Sequence, residues 1–142
     1  MKYYLLTASL YHLTYGMDNN YIQQRHESRI AKLNVGDKIV LYASKMYYNQ
    51  QNNQQNNQQN QYQKIVGIVE VVDDKYEIIT GDASCPIKYR KRIKIINRKE
   101  QDIKNLIDSL TFIKNKQKWG FYFMSGFCEI PKVDFDLIKN TM

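Results

Sequence analysis

The sequence predicts an α+β fold built on a curled, mixed β-sheet with flanking helices, and three observations carry that reading. Two β-branched runs, KIVLYASK over residues 38–45 and QKIVGIVEV over 63–71, have the composition of strands. Segments with helical apolar spacing lie elsewhere, the clearest being DIKNLIDSL, where Ile103, Leu106, Ile107 and Leu110 recur at helical intervals. The two kinds of element do not alternate as regular βαβ units, which points to α+β. The 142 residues suit one domain over 1–142 with a single core. Hydrophobic residues at 43% and charged residues at 25% are globular values and exclude wholesale disorder.

Along the chain, Tyr3 to Thr7 reads as the first strand rather than as a signal peptide, because no small-residue cleavage site follows it. No apolar run approaches the roughly 18 residues of a membrane-spanning helix, so an intracellular protein, cytoplasmic or nuclear, without a membrane partner is expected. Ser9 is placed to cap a short helix, SLYHLTY, that Gly16 ends, and a second helix is expected within Tyr21 to Leu33, before the turn Val35-Gly36-Asp37. Between Asn49 and Gln61 runs a pure Asn/Gln tract with nothing apolar to bury, so residues 46–62 are expected to be a disordered loop joining two neighbouring strands. Loop closure costs only about 0.6 kcal/mol per doubling of length, so the fold can carry such an expansion. Further strands are expected over Tyr89 to Ile96 and Gly120 to Ile130, and a last helix from Pro131 at its first turn, presenting Val133, Leu137 and Ile138.

The 21 Lys and Arg against 14 Asp and Glu give a formal charge of +7, which favours polyanionic partners. Richness in Lys, Asn, Ile and Tyr, residues of A+T-rich codons, accounts for part of that excess. Cys85 and Cys128 stand far apart with no CxxC or Cys/His spacing, which argues against a disulfide framework and a zinc site; both are read as reduced and packed. There is no Gly-rich phosphate loop, GxSxG elbow, HExxH or acidic cluster suited to a metal, so binding without a cofactor or metal is expected rather than catalysis.

Four segments in order carry a family resemblance. Ser9, His12, Gly16, Tyr21, Gln23 and His26 form the series S-x-x-H-x-x-x-G-x-x-x-x-Y-x-Q-x-x-H. VGDKIVLYAS follows, then KIVGIVEV, and near the end KWGFYFMSGFCEI before an acidic, apolar closing helix. Together they resemble the EVE domain, in particular its small free-standing branch within the PUA-like superfamily, over nearly the whole chain except the Asn/Gln tract. HES stands where the family usually has HGK, and Phe123-Met124-Ser125-Gly126 replaces the family's commoner arginine within RFG. The resemblance implies a PUA-like pseudobarrel with a concave pocket between strands and helices. It also implies binding of a modified or unpaired base, of the methylated cytosine or adenine type, in DNA or RNA, as EVE domains and the similar YTH readers are associated with. Matching pocket positions are Thr7, Ser9, Gln23, His26, Tyr42, Ser44, Trp119, Met124 and Ser125.

A base pocket needs a stacking surface, partners for a base edge and positive charge outside it. Trp119 or Tyr42 would stack, and Ser9, Gln23, His26 and Ser44 would contact the edge. Lys114, Lys116 and Lys118, with Arg90 and Arg92 of the run KYRKRIK, would meet phosphates. Stacking contributes about 1 to 3 kcal/mol per base, which only offsets the few kcal/mol of extracting one from a duplex. A buried methyl adds about 0.8 kcal/mol, roughly fourfold in affinity. Weak, salt-sensitive binding with a preference for unpaired substrates follows. Other readings stand beside these: Trp119 as core, Tyr42 pointing either way, Ser9 as a cap only, His26 as a solvated helix residue, and KYRKRIK as a charge-protected edge strand. A pocket serving a small nucleoside-like molecule, in a binding protein or an enzyme, is the alternative function.

Overall fold

The computed structural model describes residues 1–46, 61–82 and 85–142. Eight strands pair in the order β2-β6-β4-β3-β1-β8, with β5 added to β6 and β7 to β4. They are β1 (Tyr3–Ser9), β2 (Tyr21–Gln24), β3 (Lys38–Lys45), β4 (Gln61–Val71), β5 (Glu77–Asp82), β6 (Cys85–Asn97), β7 (Gln101–Asp102) and β8 (Phe127–Glu129). β1 and β3 run parallel, and every other ladder is antiparallel. The helices among the described residues are α1 (Leu10–Asp18), α2 (Glu27–Ala31) and α3 (Lys132–Thr141), and short 3-10 turns lie within 103–123, between β7 and β8. Among the described residues, no helix is long and apolar enough to cross a membrane.

β1, β3 and β4 are apolar on both faces because both faces are covered. On one face Tyr4, Leu6, Ile39, Leu41 and Val69 pack against α1, α2 and β6 through Leu13, Met17, Ile30 and Ile93. On the other, Leu5, Val40, Tyr42, Ile65 and Ile68 meet the 3-10 turns and α3 through Ile103, Leu110, Phe123, Phe135 and Ile138. The register slips between Leu41 and Tyr42 on β3 and between Ile68 and Val69 on β4, which curls the sheet.

Two buried carboxylates tie the connections down. Asp37, in the predicted turn, accepts hydrogen bonds from the Lys2 and Asn34 amides at 2.9 and 2.8 Å, locking the start of β1 to the turn that opens β3. Gly36 supplies the left-handed backbone there, at φ 95. Asp134 accepts from the Thr111 and Phe112 amides and the Thr111 hydroxyl at 2.8–3.0 Å, fastening α3 to the segment across from it.

Several expectations are corrected. α1 runs past Gly16 to Asp18, because Gly16 lies inside the helix for a packing reason: a Cβ there would stand 2.6 Å from the Tyr21 carbonyl oxygen. The chain leaves through Asn19 and the left-handed Asn20, φ 60, straight into β2, and the second helix, expected within Tyr21 to Leu33, follows it as α2 over Glu27–Ala31. The 102–110 segment forms two 3-10 turns, and Lys116–Phe123 is 3-10 as well, leaving only Phe127–Glu129 of the expected strand over 120–130. Pro131 caps α3 from outside, and α3 buries Asp134, Phe135 and Ile138 while Val133 is exposed. β6 is no edge strand, being flanked by β2, β4 and β5. The expected loop at 46–62 lies mostly outside the described residues, and its last two positions, Gln61 and Tyr62, are already in β4.

Substituting Gly16→Ala is expected to lower stability by about 1–3 kcal/mol, since overpacking against the Tyr21 backbone outweighs the gain in helix propensity of about 1 kcal/mol. Denaturant unfolding of the two proteins measures it. Thr7 makes the opposite case. Its Oγ1 is buried without a hydrogen-bond partner among the described residues, which costs about 1–3 kcal/mol. Thr7→Val keeps the shape and removes the orphan, so its thermal midpoint is expected to rise.

Candidate nucleic-acid interface

The site residues gather where β1 ends. β1 and β3 are in register from Tyr3/Lys38 to Ala8/Ala43, then a bulge sets Ser9 against Lys45. At this break the Ser9 hydroxyl accepts from the His12 amide at 3.2 Å and starts α1. The His12 ring lies 3.1 Å from the Gln23 carbonyl of β2. Burial, with Lys88 nearby, holds His12 below the ordinary imidazole range, so the ring is neutral and joins α1 to β2. On the other flank the Thr7 amide donates to the Gly126 carbonyl at 2.8 Å. Arg29 of α2 clamps this corner, donating to Gln24 Oε1 at 3.1 Å and to the Ser125 carbonyl at 2.5 Å. Thr7, Ser9, Gln23, Ser44 and Ser125 are thus brought to one end of the sheet, with Ser44 just before the residue that faces Ser9.

Beside this corner opens a cleft of about 340 Å³, within the range of small-molecule sites. Leu10 and Met17 of α1 and Val66 of β4 give it an apolar floor, Tyr62 an aromatic wall, and Thr14, Arg98, Lys99 and Glu100 polar groups. Tyr62 donates its hydroxyl to Glu100; burial and that carboxylate push its pKa up to about 12, so it stays protonated. Lys64 lies 5.0 Å from the Tyr62 ring centroid and 3.9 Å from Glu100. Arg98 pairs with Asp18 at 2.9 Å. Arg98 is thus paired with Asp18 and Glu100 with Lys64, and Lys99 adds a further cation to the lining.

None of the nine predicted pocket positions lines this cleft, and those outside the corner lie elsewhere. Tyr42 is 2% exposed, its ring 4.6 Å from Phe123 in the second core layer, so it cannot offer a stacking face. Burial pushes its hydroxyl pKa up. Trp119 is half-buried in the same layer, edge-on to Phe123 at 5.9 Å. Lys116 spends its ammonium on the Ile107 and Leu110 carbonyls at 3.0 and 2.7 Å, which removes it from phosphate contact, whereas Lys114 and Lys118 are exposed. His26 is exposed at the start of α2, and Met124 is 77% exposed.

Along β6 the side chains alternate as the sequence suggested. Lys88, Arg90, Arg92 and Lys94 share one face, while Lys91 points inward, 2% exposed, and donates to the Leu33 carbonyl at 2.5 Å. Arg90 is held by Glu77 at 2.9 and 3.1 Å and lies 4.5 Å over the Tyr21 ring; Lys94 pairs with Glu70 at 3.3 Å. Arg92 is exposed. Cys128 is a free, half-buried thiol whose pKa burial raises, as a packed cysteine should be; the Cys85 side chain lies outside the described residues. Among the described residues no group of three or more His, Cys, Asp or Glu could hold a metal ion.

Comparison with known proteins agrees with this architecture. A UPF0310 protein of Bacillus licheniformis is 32% identical, covering 92% of this chain and 84% of that protein. Another from Pyrococcus horikoshii is 31% identical over 85% of this chain and 83% of its own. A third, from Mycolicibacterium gilvum, is 30% identical over 100% and 96%. Among solved structures, the Pho92 YTH domain in complex with m6A superposes with a TM-score of 0.63 at 18% identity, covering 99% of this chain and 82% of that one. Rpa0253 from Rhodopseudomonas palustris gives 0.53 at 14% identity, over 96% and 90%. These likenesses establish a PUA-like fold. The EVE domain model matches residues 3–141, and the chain belongs to the EVE domain family.

Proposed function

We propose that this protein is a nucleic-acid-binding module that admits one unpaired or modified base into the cleft between α1 and β4. The observation that carries the reading is the composition of that cleft: an apolar floor, one tyrosine wall, and the polar groups of Thr14, Arg98, Lys99 and Glu100 around a space of about 340 Å³. A flat, apolar-faced ligand with polar edges fits that description. Tyr62 takes the stacking role, and Glu100 and Thr14 present acceptors to an exocyclic amino group. Ser9 meets the cleft through its neighbour Leu10 and, with Thr7, Gln23, Ser44 and Ser125, forms the corner behind it. Membership of the EVE family supports the reading, as does the fold shared with a YTH domain solved with m6A. Arg90, Arg92 and the exposed lysines Lys114 and Lys118 supply the long-range attraction for the backbone, which makes binding salt-dependent.

The test is binding of matched oligonucleotides, with and without cytosine or adenine methylation, single- and double-stranded, at two salt concentrations. Tyr62→Ala is expected to weaken binding by roughly 5- to 150-fold, the equivalent of about 1–3 kcal/mol of stacking. Trp119→Ala is expected to lower stability while a folded fraction keeps its affinity. Binding insensitive to Tyr62 and to methylation, and dependent on salt alone, would leave only a basic surface.

A further inference from the structure

α1 presents two distinct faces side by side. Residues advance about 100° each around a helix, so Leu10, Thr14 and Met17 form one stripe, which is the wall of the cleft. Tyr11 and Tyr15, one turn apart, form the next stripe outward, and they are 66% and 47% exposed. Large aromatics so exposed on a helix that has a core to pack against are the informative kind of surface. The row continues off the helix. Tyr15 meets Tyr21 of β2 edge-on at 6.3 Å, and Tyr21 lies under the Arg90 guanidinium at 4.5 Å. Arg92 stands directly opposite Tyr21 in the β2–β6 register. Three tyrosines and two arginines therefore make one path that starts beside the cleft and ends on the basic face of β6.

Aromatic faces interleaved with cations are what an unpaired strand needs: rings on which successive bases stack and positive charge along the phosphates. A duplex hides its base faces and would leave the tyrosines unused. An acidic peptide would use the arginines but gain nothing from the exposed rings. We propose that Tyr11, Tyr15, Tyr21, Arg90 and Arg92 form a binding surface for the single strand that flanks the base held in the cleft, so that the substrate is a single-stranded nucleic acid rather than a free nucleoside. This inference rests on the cleft being the base site, and it adds where the neighbouring nucleotides lie. The Arg90–Glu77 pair and the Arg90–Tyr21 contact hold that end of the path rigid before any strand arrives, so little ordering is needed on binding.

The experiment compares adenosine with adenine heptanucleotides, as DNA and as RNA, by titration against the wild type and a Tyr11→Ala/Tyr15→Ala variant. The heptanucleotide is expected to bind the wild type at least tenfold more tightly than adenosine, and the variant should lose most of that gain while its adenosine affinity is unchanged. Tyr15→Phe, which keeps a stacking face, should behave as the wild type. Both tyrosines being exposed, the variant is expected to fold, which its unfolding midpoint checks. A heptanucleotide no tighter than adenosine, or a double variant that keeps the length-dependent gain, overturns the strand path while leaving the base site standing. Binding of neither probe overturns both. The DNA and RNA arms identify which strand is preferred.

Discussion

The structure depends on one constraint: β1, β3 and β4 bury both of their faces. A strand apolar on one side can lie on a surface, but these three require cover above and below, and each covering layer is drawn from a different part of the chain. The crossover between β1 and β3 supplies one layer, and the 3-10 turns with α3 supply the other. Because β1 and β3 are parallel, the chain must make a long crossover between them. That obligatory excursion contains α1, β2 and α2, the elements on which the cleft wall, the Arg29 clamp and the tyrosine row are all mounted. The candidate site thus follows from the topology, and the bulge at Ser9, where the parallel ladder fails, is the point at which the backbone leaves the sheet to build it.

The electrostatics divide the work in the same way. Two ion pairs lie at the cleft, Asp18 with Arg98 and Glu100 with Lys64, and Lys99 lines it beside them. Positive charge is concentrated on the outer face of β6, where phosphates can reach it without entering the cleft. The buried Lys91 shows that the strand's basic character is not all for partners. Its amine is held below the ordinary range chiefly by burial, opposed by nearby Asp73, Asp74 and Asp37, and it fastens β6 to the Leu33 carbonyl after α2.

Legibility in the sequence followed burial. β3 was readable to the residue, and β4 to within two, because β-branched runs covered on both faces leave a continuous signal. The segments 102–110 and 120–123 were misread from their apolar spacing: apolar residues three and four apart serve consecutive 3-10 turns as well as an α-helix, and Phe121 to Met124 alternate in residue type without being a strand. The polar corner at the end of β1 was visible as a motif series. Tyr42 was not assignable, since one residue of register decides which face it serves. Tyr62, Lys99 and Glu100 were missed because the cleft is assembled from segments far apart in the chain, and Tyr62 adjoins the Asn/Gln tract that masks the strand's start. One signal could have found the α1 face: Leu10, Thr14 and Met17 in one helical stripe with Tyr11 and Tyr15 in the next.

The central claim is that a base is held between α1 and Tyr62. Mapping amide chemical shifts while titrating an adenine or N6-methyladenine nucleoside tests it most directly. With a base in the cleft, the largest changes are expected on Leu10, Thr14, Tyr62, Val66 and Lys99, with smaller ones at Ser9 and Gln23. Changes confined to Trp119 and the Phe121 to Ser125 turn would contradict it, placing the base on the opposite side of the sheet.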